Sequence, residues 1–225
     1  MLQWFETFLG CAEIVGTVAF AASGAILAIQ RDLDLFGVVF IGTIAAVGGG
    51  IVRDLLLNIT PPSAFQHPIY VLVAAMTALA VFLFVWLRRR QSSQPHPLLD
   101  ALINLLDAVG LGAFSVVGAE TAALLGHSGN LFLCVFMGTI SGIGGGILRD
   151  LLSLQLPAVL YKRVYAVASI AGSLTYCLLE GRFPNQPLCM ALGIGVTVVI
   201  RVCASHFRWD LPVARKQDSN HRHHS

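Results

Sequence analysis

Charge is scarce in this chain: lysine, arginine, aspartate and glutamate together make up 12% of its 225 residues. Soluble domains carry roughly a quarter charged residues, so a water-solvated globule is excluded. The formal net charge of +2 carries little by itself, and no nucleic-acid partner is expected. Lysine and arginine are missing from residues 1–13, which hold Glu6 and Glu13 instead. The first apolar stretch therefore lacks the positive flank of a cleaved signal peptide and is read as a true span. The five cysteines, Cys11, Cys134, Cys177, Cys189 and Cys203, show no CxxC spacing and sit at or within apolar spans. They read as small packing residues, not as a disulfide frame or a metal site. No Ser/His/Asp or Cys/His constellation is present, and the histidines lie mostly at loops and in the tail. The chain is thus not expected to be an enzyme, nor to carry a cofactor or a metal beyond transient monovalent cations.

What the chain has in abundance is apolar residues, 56% of the total, with a mean hydropathy of +0.77. A bilayer core needs about 20 helical residues to cross. Seven stretches are long enough or nearly so, near 12–30, 36–57, 68–87, 101–125, 131–153, 163–181 and 188–206. Short connections leave room for one transmembrane domain over 1–210 and a polar tail at 211–225, expected to be disordered. Basic residues fall in alternate loops. Arg31 follows the first span, Arg88, Arg89 and Arg90 the third, Lys162 and Arg163 the fifth, and Arg201, Arg208, Arg215, Lys216 and Arg222 lie at or beyond the end of the seventh. The other loops hold only Arg182. The positive-inside rule then puts the N-terminus outside and the C-terminus in the cytoplasm.

One stretch is written twice. GTIAAVGGGIVRDLL spans 42–56 and GTISGIGGGILRDLL spans 138–152, an offset of 96 that also matches Phe36 to Phe132, Phe40 to Phe136 and Pro61 to Pro157. Upstream the offset becomes 94, and Glu13, Gly16, Phe20 and Gly24 fall on Asp107, Gly110, Phe114 and Gly118. The fold expected is an all-α membrane protein. Repeat one (about 12–87) recurs as repeat two (about 101–181), with a seventh helix left over at about 188–206. Three spans is an odd number, so the second copy enters the membrane from the opposite side and the halves form an inverted repeat. A duplication that serves packing alone is the alternative.

Consecutive glycines weaken a helix by about 1 kcal/mol each relative to alanine. The triplets Gly48, Gly49, Gly50 and Gly144, Gly145, Gly146 stand near the middle of the second and fifth spans. Two readings follow. The helices bend or unwind there, so that carbonyls, with Thr43, Thr139 and Ser141, line a cation constriction; or the small residues let two helices pack closely. Without a Gly-Lys-Ser/Thr ending, neither triplet is a phosphate loop. Arg53 and Arg149 follow within one turn and need partners, since charge in lipid is costly. Asp54 and Asp150 are adjacent in sequence and are expected to point elsewhere. The partners expected are Glu13 for Arg53 and Asp107 for Arg149, as charged gates or as static ties within the bundle. Glu120 has no acidic counterpart; it is read as a solvated helix end, or as a cation-concentrating group in an outer vestibule.

With GGGIVRD and GGGILRD at equivalent places in a three-plus-three-plus-one array, the chain resembles the trimeric intracellular cation channel family, prokaryotic branch, over residues 5 to about 207. The resemblance implies a homotrimer in a bacterial inner membrane, with one pore per protomer between the second and fifth spans. It implies conduction of monovalent cations, chiefly potassium. The lining would include the two glycine triplets, with Arg53, Asp54, Arg149 and Asp150 beside them, and membrane lipids would surround it. Animal members bind phosphoinositide lipid through basic residues at the equivalent motif; this chain has Arg-Asp there, so that dependence is not implied. A secondary transporter of a small solute such as glycine, a role also attached to bacterial relatives, is the alternative function.

Overall fold

A computed structural model describes residues 2–88, 97–161, 164–207 and 209. The tail at 211–225 and Arg89, Arg90, Lys162, Arg163 and Arg208, all used above to orient the chain, lie outside the described residues. The described chain is helical: α1 (Leu2–Gln30), α2 (Leu35–Leu56), α3 (Ser63–Gln66), α4 (Ile69–Arg88), α5 (Pro97–Ala122), a π-turn (Ala123–His127), α6 (Leu131–Leu152), α7 (Ala158–Tyr161), α8 (Tyr165–Glu180) and α9 (Gln186–His206). Among the described residues, six segments are long and apolar enough to cross a membrane. The span expected at 163–181 is the exception: α8 has only 16 residues, or roughly 24 Å of helix at 1.5 Å per residue. The first helix starts well before residue 12, because the apolar residues ahead of Glu13 continue its pattern.

Local chemistry sets the helix ends, and it does so twice. Asp34 accepts the Gly37 amide at 2.8 Å ahead of α2, and Asn130 accepts the Leu133 amide at 3.1 Å ahead of α6. Each side-chain oxygen satisfies an amide that the first turn leaves open. At the far ends, Asn58 and Leu154 take left-handed φ values of 58° and 53°. Asparagine tolerates that conformation, whereas leucine pays roughly 1–2 kcal/mol for it. The loop is held there by Asp150, whose carbonyl accepts the Gln155 amide at 3.0 Å.

Contacts between the copies are reciprocal. Gly16 lies against Phe114, and Gly110, its repeat equivalent, lies against Phe20; the two rings stack with centroids 5.6 Å apart. A Cβ on Gly49 would run into the Ser141 carbonyl, and one on Gly145 into the Ala45 carbonyl. Since Gly49 and Gly145 are equivalent, as are Ala45 and Ser141, each pair exchanges its contact, as a two-fold relation requires. Arg31, before α2, donates to Gln155, beyond α6, at 2.9 Å. The start of α2 thus lies at the same end of the molecule as the finish of α6. Large apolar side chains turn outward, among them Phe36 and Phe132 at 76% and 78% exposure, as a lipid-facing surface allows.

Both glycine triplets are helical throughout. The expected unwinding is absent, because each triplet gives its space to the opposing backbone: a Cβ on Gly144 would sit 3.0 Å from Gly49 Cα. Position within the triplet should therefore decide the cost of a methyl group. Gly49→Ala and Gly145→Ala are expected to lose about 1–3 kcal/mol, the usual penalty for overpacking, seen as lower melting temperatures of the purified protein. Gly50→Ala, whose Cβ would meet only Arg53 Nη2 at 3.8 Å, is expected to be neutral or to gain up to about 1 kcal/mol of helix propensity.

Candidate functional site

Each Arg-Asp pair stands in the last turn of its helix and is buried: Arg53 and Arg149 are both 4% exposed, Asp54 and Asp150 both 1%. The expectation that the aspartates point away from the arginines is corrected by the geometry. Arg53 Nε donates to Asp54 Oδ1 at 2.8 Å, and Arg149 Nε to Asp150 Oδ1 at 2.8 Å. Neighbouring side chains diverge by about 100° around a helix, but the long arginine stem curls back along the surface. The second carboxylate oxygen faces the following loop: Asp54 Oδ2 accepts the Ser63 amide at 2.7 Å and Asp150 Oδ2 the Ala158 amide at 2.7 Å. One aspartate thus neutralises the guanidinium beside it and ties down the return of the chain.

Beyond this shared core the copies differ. Arg149 Nη1 reaches Asp107 Oδ1 at 2.8 Å and Ser23 Oγ at 3.1 Å. Tyr165 donates to the same Asp107 oxygen at 3.1 Å. Arg201, from α9, brings Nη2 to 3.6 Å from Asp107 Oδ2 and lays its guanidinium 4.5 Å from the centroid of the Tyr165 ring. In the first copy Glu13 takes the Tyr70 hydroxyl, and Arg53 pairs with Asp54; the expected Glu13–Arg53 pair is not formed. The hydroxyl competes successfully because Tyr70 stands at the start of α4, directly over the half-buried carboxylate. Glu13, Arg53, Asp54 and Tyr70 still share one cavity wall.

The hydroxyls near the triplets are mostly occupied by their own helices. Thr43 donates to the Val39 carbonyl and Thr139 to the Val135 carbonyl, both at 2.8 Å. Ser141 Oγ is buried without a partner among the described residues. Glu120 is neither a solvated end nor part of a vestibule: it is 1% exposed and accepts the Tyr176 hydroxyl. Its other oxygen is buried and unpartnered among the described residues. Two groups of consequence go beyond the sequence expectation. Arg201, expected among the topology-setting charges at a span's end, lies inside α9 at 5% exposure; its position within an apolar run is the available signal. Tyr165 carried none, since nothing in sequence tells a core tyrosine from an interfacial one.

Asp107 joins α5 to α6, α8 and α9, because Arg149, Tyr165 and Arg201 all turn to it. Asp107→Ala should cost about 3–5 kcal/mol, the usual loss when one member of a buried pair goes, read from denaturant-induced unfolding of the purified protein. Arg201→Gln, at the longer 3.6 Å contact, should cost clearly less. The reverse order would show that α9 and not Asp107 holds the cluster.

Comparison with known proteins gives a consistent answer. A family model described as glycine transporter matches residues 11–86 and 104–181. The inner membrane protein YadS of Escherichia coli K12, of the UPF0126 group, is 37% identical over 202 residues, covering 89% of this chain and 93% of its own. The membrane protein YvgT of Bacillus subtilis 168 is 36% identical over 202 residues, with the same coverage of 89% and 93%. Among solved structures, the TRIC trimeric intracellular cation channel orthologue from Rhodobacter sphaeroides superposes with a TM-score of 0.81 at 30% identity, covering 90% of this chain and all of that one. A prokaryotic TRIC channel solved in 0.5 M KCl gives 0.82 at 29% identity, covering 92% of this chain and all of that one. The chain belongs to the trimeric intracellular cation channel family, in the prokaryotic branch that includes the UPF0126 membrane proteins.

Proposed function

We propose that this protein is a homotrimeric, potassium-permeable cation channel of a bacterial inner membrane, with one pore in each protomer between α2 and α6. The observation that carries this reading is the crossing of the two glycine triplets. It joins equivalent positions in two copies of one motif, in a chain whose fold is similar to the TRIC channels over 90% and 92% of its length. In this reading the membrane domain covers 1–210. The first three spans and the next three are inverted copies, α8 is a short sixth span, and α9 is the seventh. The N-terminus faces outward, and the polar tail from 211 onward lies in the cytoplasm.

The triplets are the constriction. Their backbones touch, so passage of an ion requires α2 and α6 to part or rotate at Gly49 and Gly145, a change between two packed arrangements. When they part, carbonyl oxygens and the hydroxyls of Thr43, Thr139 and Ser141 replace part of the ion's hydration shell. Gly48, Gly50, Gly144 and Gly146 leave the approaches wide. Arg53 with Asp54, and Arg149 with Asp150 and Asp107, stand at the two mouths and keep each helix end anchored to its loop while the middle moves. Glu13 supplies negative charge on the outer side, and membrane lipids complete the surface.

The family model's description as glycine transporter supports one rival, a carrier of a small solute in which the same crossing opens to each side in turn. Planar bilayers decide between them. The channel reading expects unitary currents whose reversal potential follows the potassium gradient. Saturable glycine uptake by proteoliposomes, with no unitary currents, would overturn it.

A further inference from the structure

The two Arg-Asp clusters are built from matching parts and differ in one. Around Asp107 stand Arg149, Asp150, Tyr165 and Arg201: two negative charges and two positive ones. Around Glu13 stand Arg53, Asp54 and Tyr70. Tyr70 donates to Glu13 as Tyr165 donates to Asp107. The first cluster therefore holds two negative charges and one positive one, with no counterpart of Arg201 among the described residues. The cause is the odd helix: α9 packs chiefly against α5 and α8, in the second copy, and touches the first copy only along α1. On the flank of Glu13 and Tyr70 lies a small cavity, partly open to the outside, lined also by Thr17, Arg53, Asp54 and Ser63.

We propose that this cavity binds a small guanidinium cation, the group that Arg201 supplies covalently to the other copy. Asp107 and Tyr165 show what such a cation meets in this protein: a carboxylate oxygen in ion-pair range, at 3.6 Å, and a phenol ring beneath its planar face. Glu13 and Tyr70 present the same two groups, and Thr17 adds a hydroxyl. Arg53 lines the same cavity, but its charge is neutralised by Asp54 at 2.7 Å, so the cavity keeps a net negative charge from Glu13. Guanidinium fits this lining better than a bare alkali ion does. It is weakly hydrated, donates along fixed directions and stacks on an aromatic face, whereas the wall offers one carboxylate with its hydroxyl partner already in place. The bound cation ties α1 to α4, as Arg201 ties α9 to α5.

The test uses the purified full chain, with methylguanidinium chloride as the probe and tetramethylammonium and potassium chlorides as comparators at equal ionic strength. Methylguanidinium is expected to bind saturably by titration calorimetry and to raise the melting temperature, as a ligand of the folded state must. Loss of a charged hydrogen-bond partner or of the ring should weaken binding at least about tenfold in Glu13→Gln and in Tyr70→Leu. If Glu13→Gln does not fold, Tyr70→Leu decides. The proposal is overturned by no saturable binding to the wild type, by equal affinity for tetramethylammonium or potassium, or by unchanged affinity in the variants that fold. Binding is read without any current, so its failure is distinct from failure of the channel reading.

Discussion

Everything else in this protein is arranged around a place where two helices touch with nothing between them. At the crossing of α2 and α6 the Cα of Gly49 and the space over Gly144 are in contact, and a side chain on Gly49 or Gly145 would meet a carbonyl. Intrinsic propensity argues against three successive glycines in a helix. The chain accepts that cost twice because in lipid no hydrophobic force draws helices together, and close backbone packing must do so instead. The same device recurs at the edge of the bundle, where Gly172 of α8 lies against the Gly193 carbonyl of α9. Small residues thus set the spacing of the bundle, while the large ones, such as Phe36 and Phe132, face outward.

A crossing made of backbone has no side chains to fix its ends, and the arginine-aspartate pairs do that. Each pair lies within two turns of its glycine triplet and fastens the last turn of the helix to the loop beyond it, through the amides of Ser63 and Ala158. A buried ion pair contributes little net stability once desolvation is counted. Its value here is positional. The guanidinium cannot leave its carboxylate without a large penalty, so the loop cannot leave the helix. The helix ends are therefore firm while the middle is bound only by close contact, an arrangement suited to motion at the centre.

Much of this was legible in the sequence, and the reason is duplication. The doubled GGGxxRD and the offsets of 94 and 96 placed the matching helices, put the triplets at a shared depth and paired Asp107 with Arg149. Periodicity could not say whether a glycine run unwinds or packs, because both need small residues; only the neighbour's backbone distinguishes them. Arg53 pairs with Asp54 and not with the expected Glu13 for a related reason. Sequence spacing gives the direction of a Cβ, not the reach of a long side chain, and the carboxylate one residue away was closer than helical geometry alone implies. Sequence position alone makes Glu120 a solvated helix end and Arg201 a topology-setting charge at the end of a span, yet the α5, α8 and α9 packing covers both. Tertiary cover of that kind leaves no mark on hydropathy.

The unpaired ninth helix then explains why the copies, alike in backbone, are unlike in electrostatics. A strictly two-fold pair of clusters would carry equal charge, and any group added on one side would be matched on the other. α9 breaks that rule by contributing Arg201 to the second cluster alone, where it meets Asp107 and Tyr165. One half of the molecule is closed over a cation of its own, with Tyr165 fully buried; the other presents the equivalent carboxylate and phenol, half-buried, to a cavity. Duplication supplied two identical helix ends, and a single additional helix made them chemically distinct.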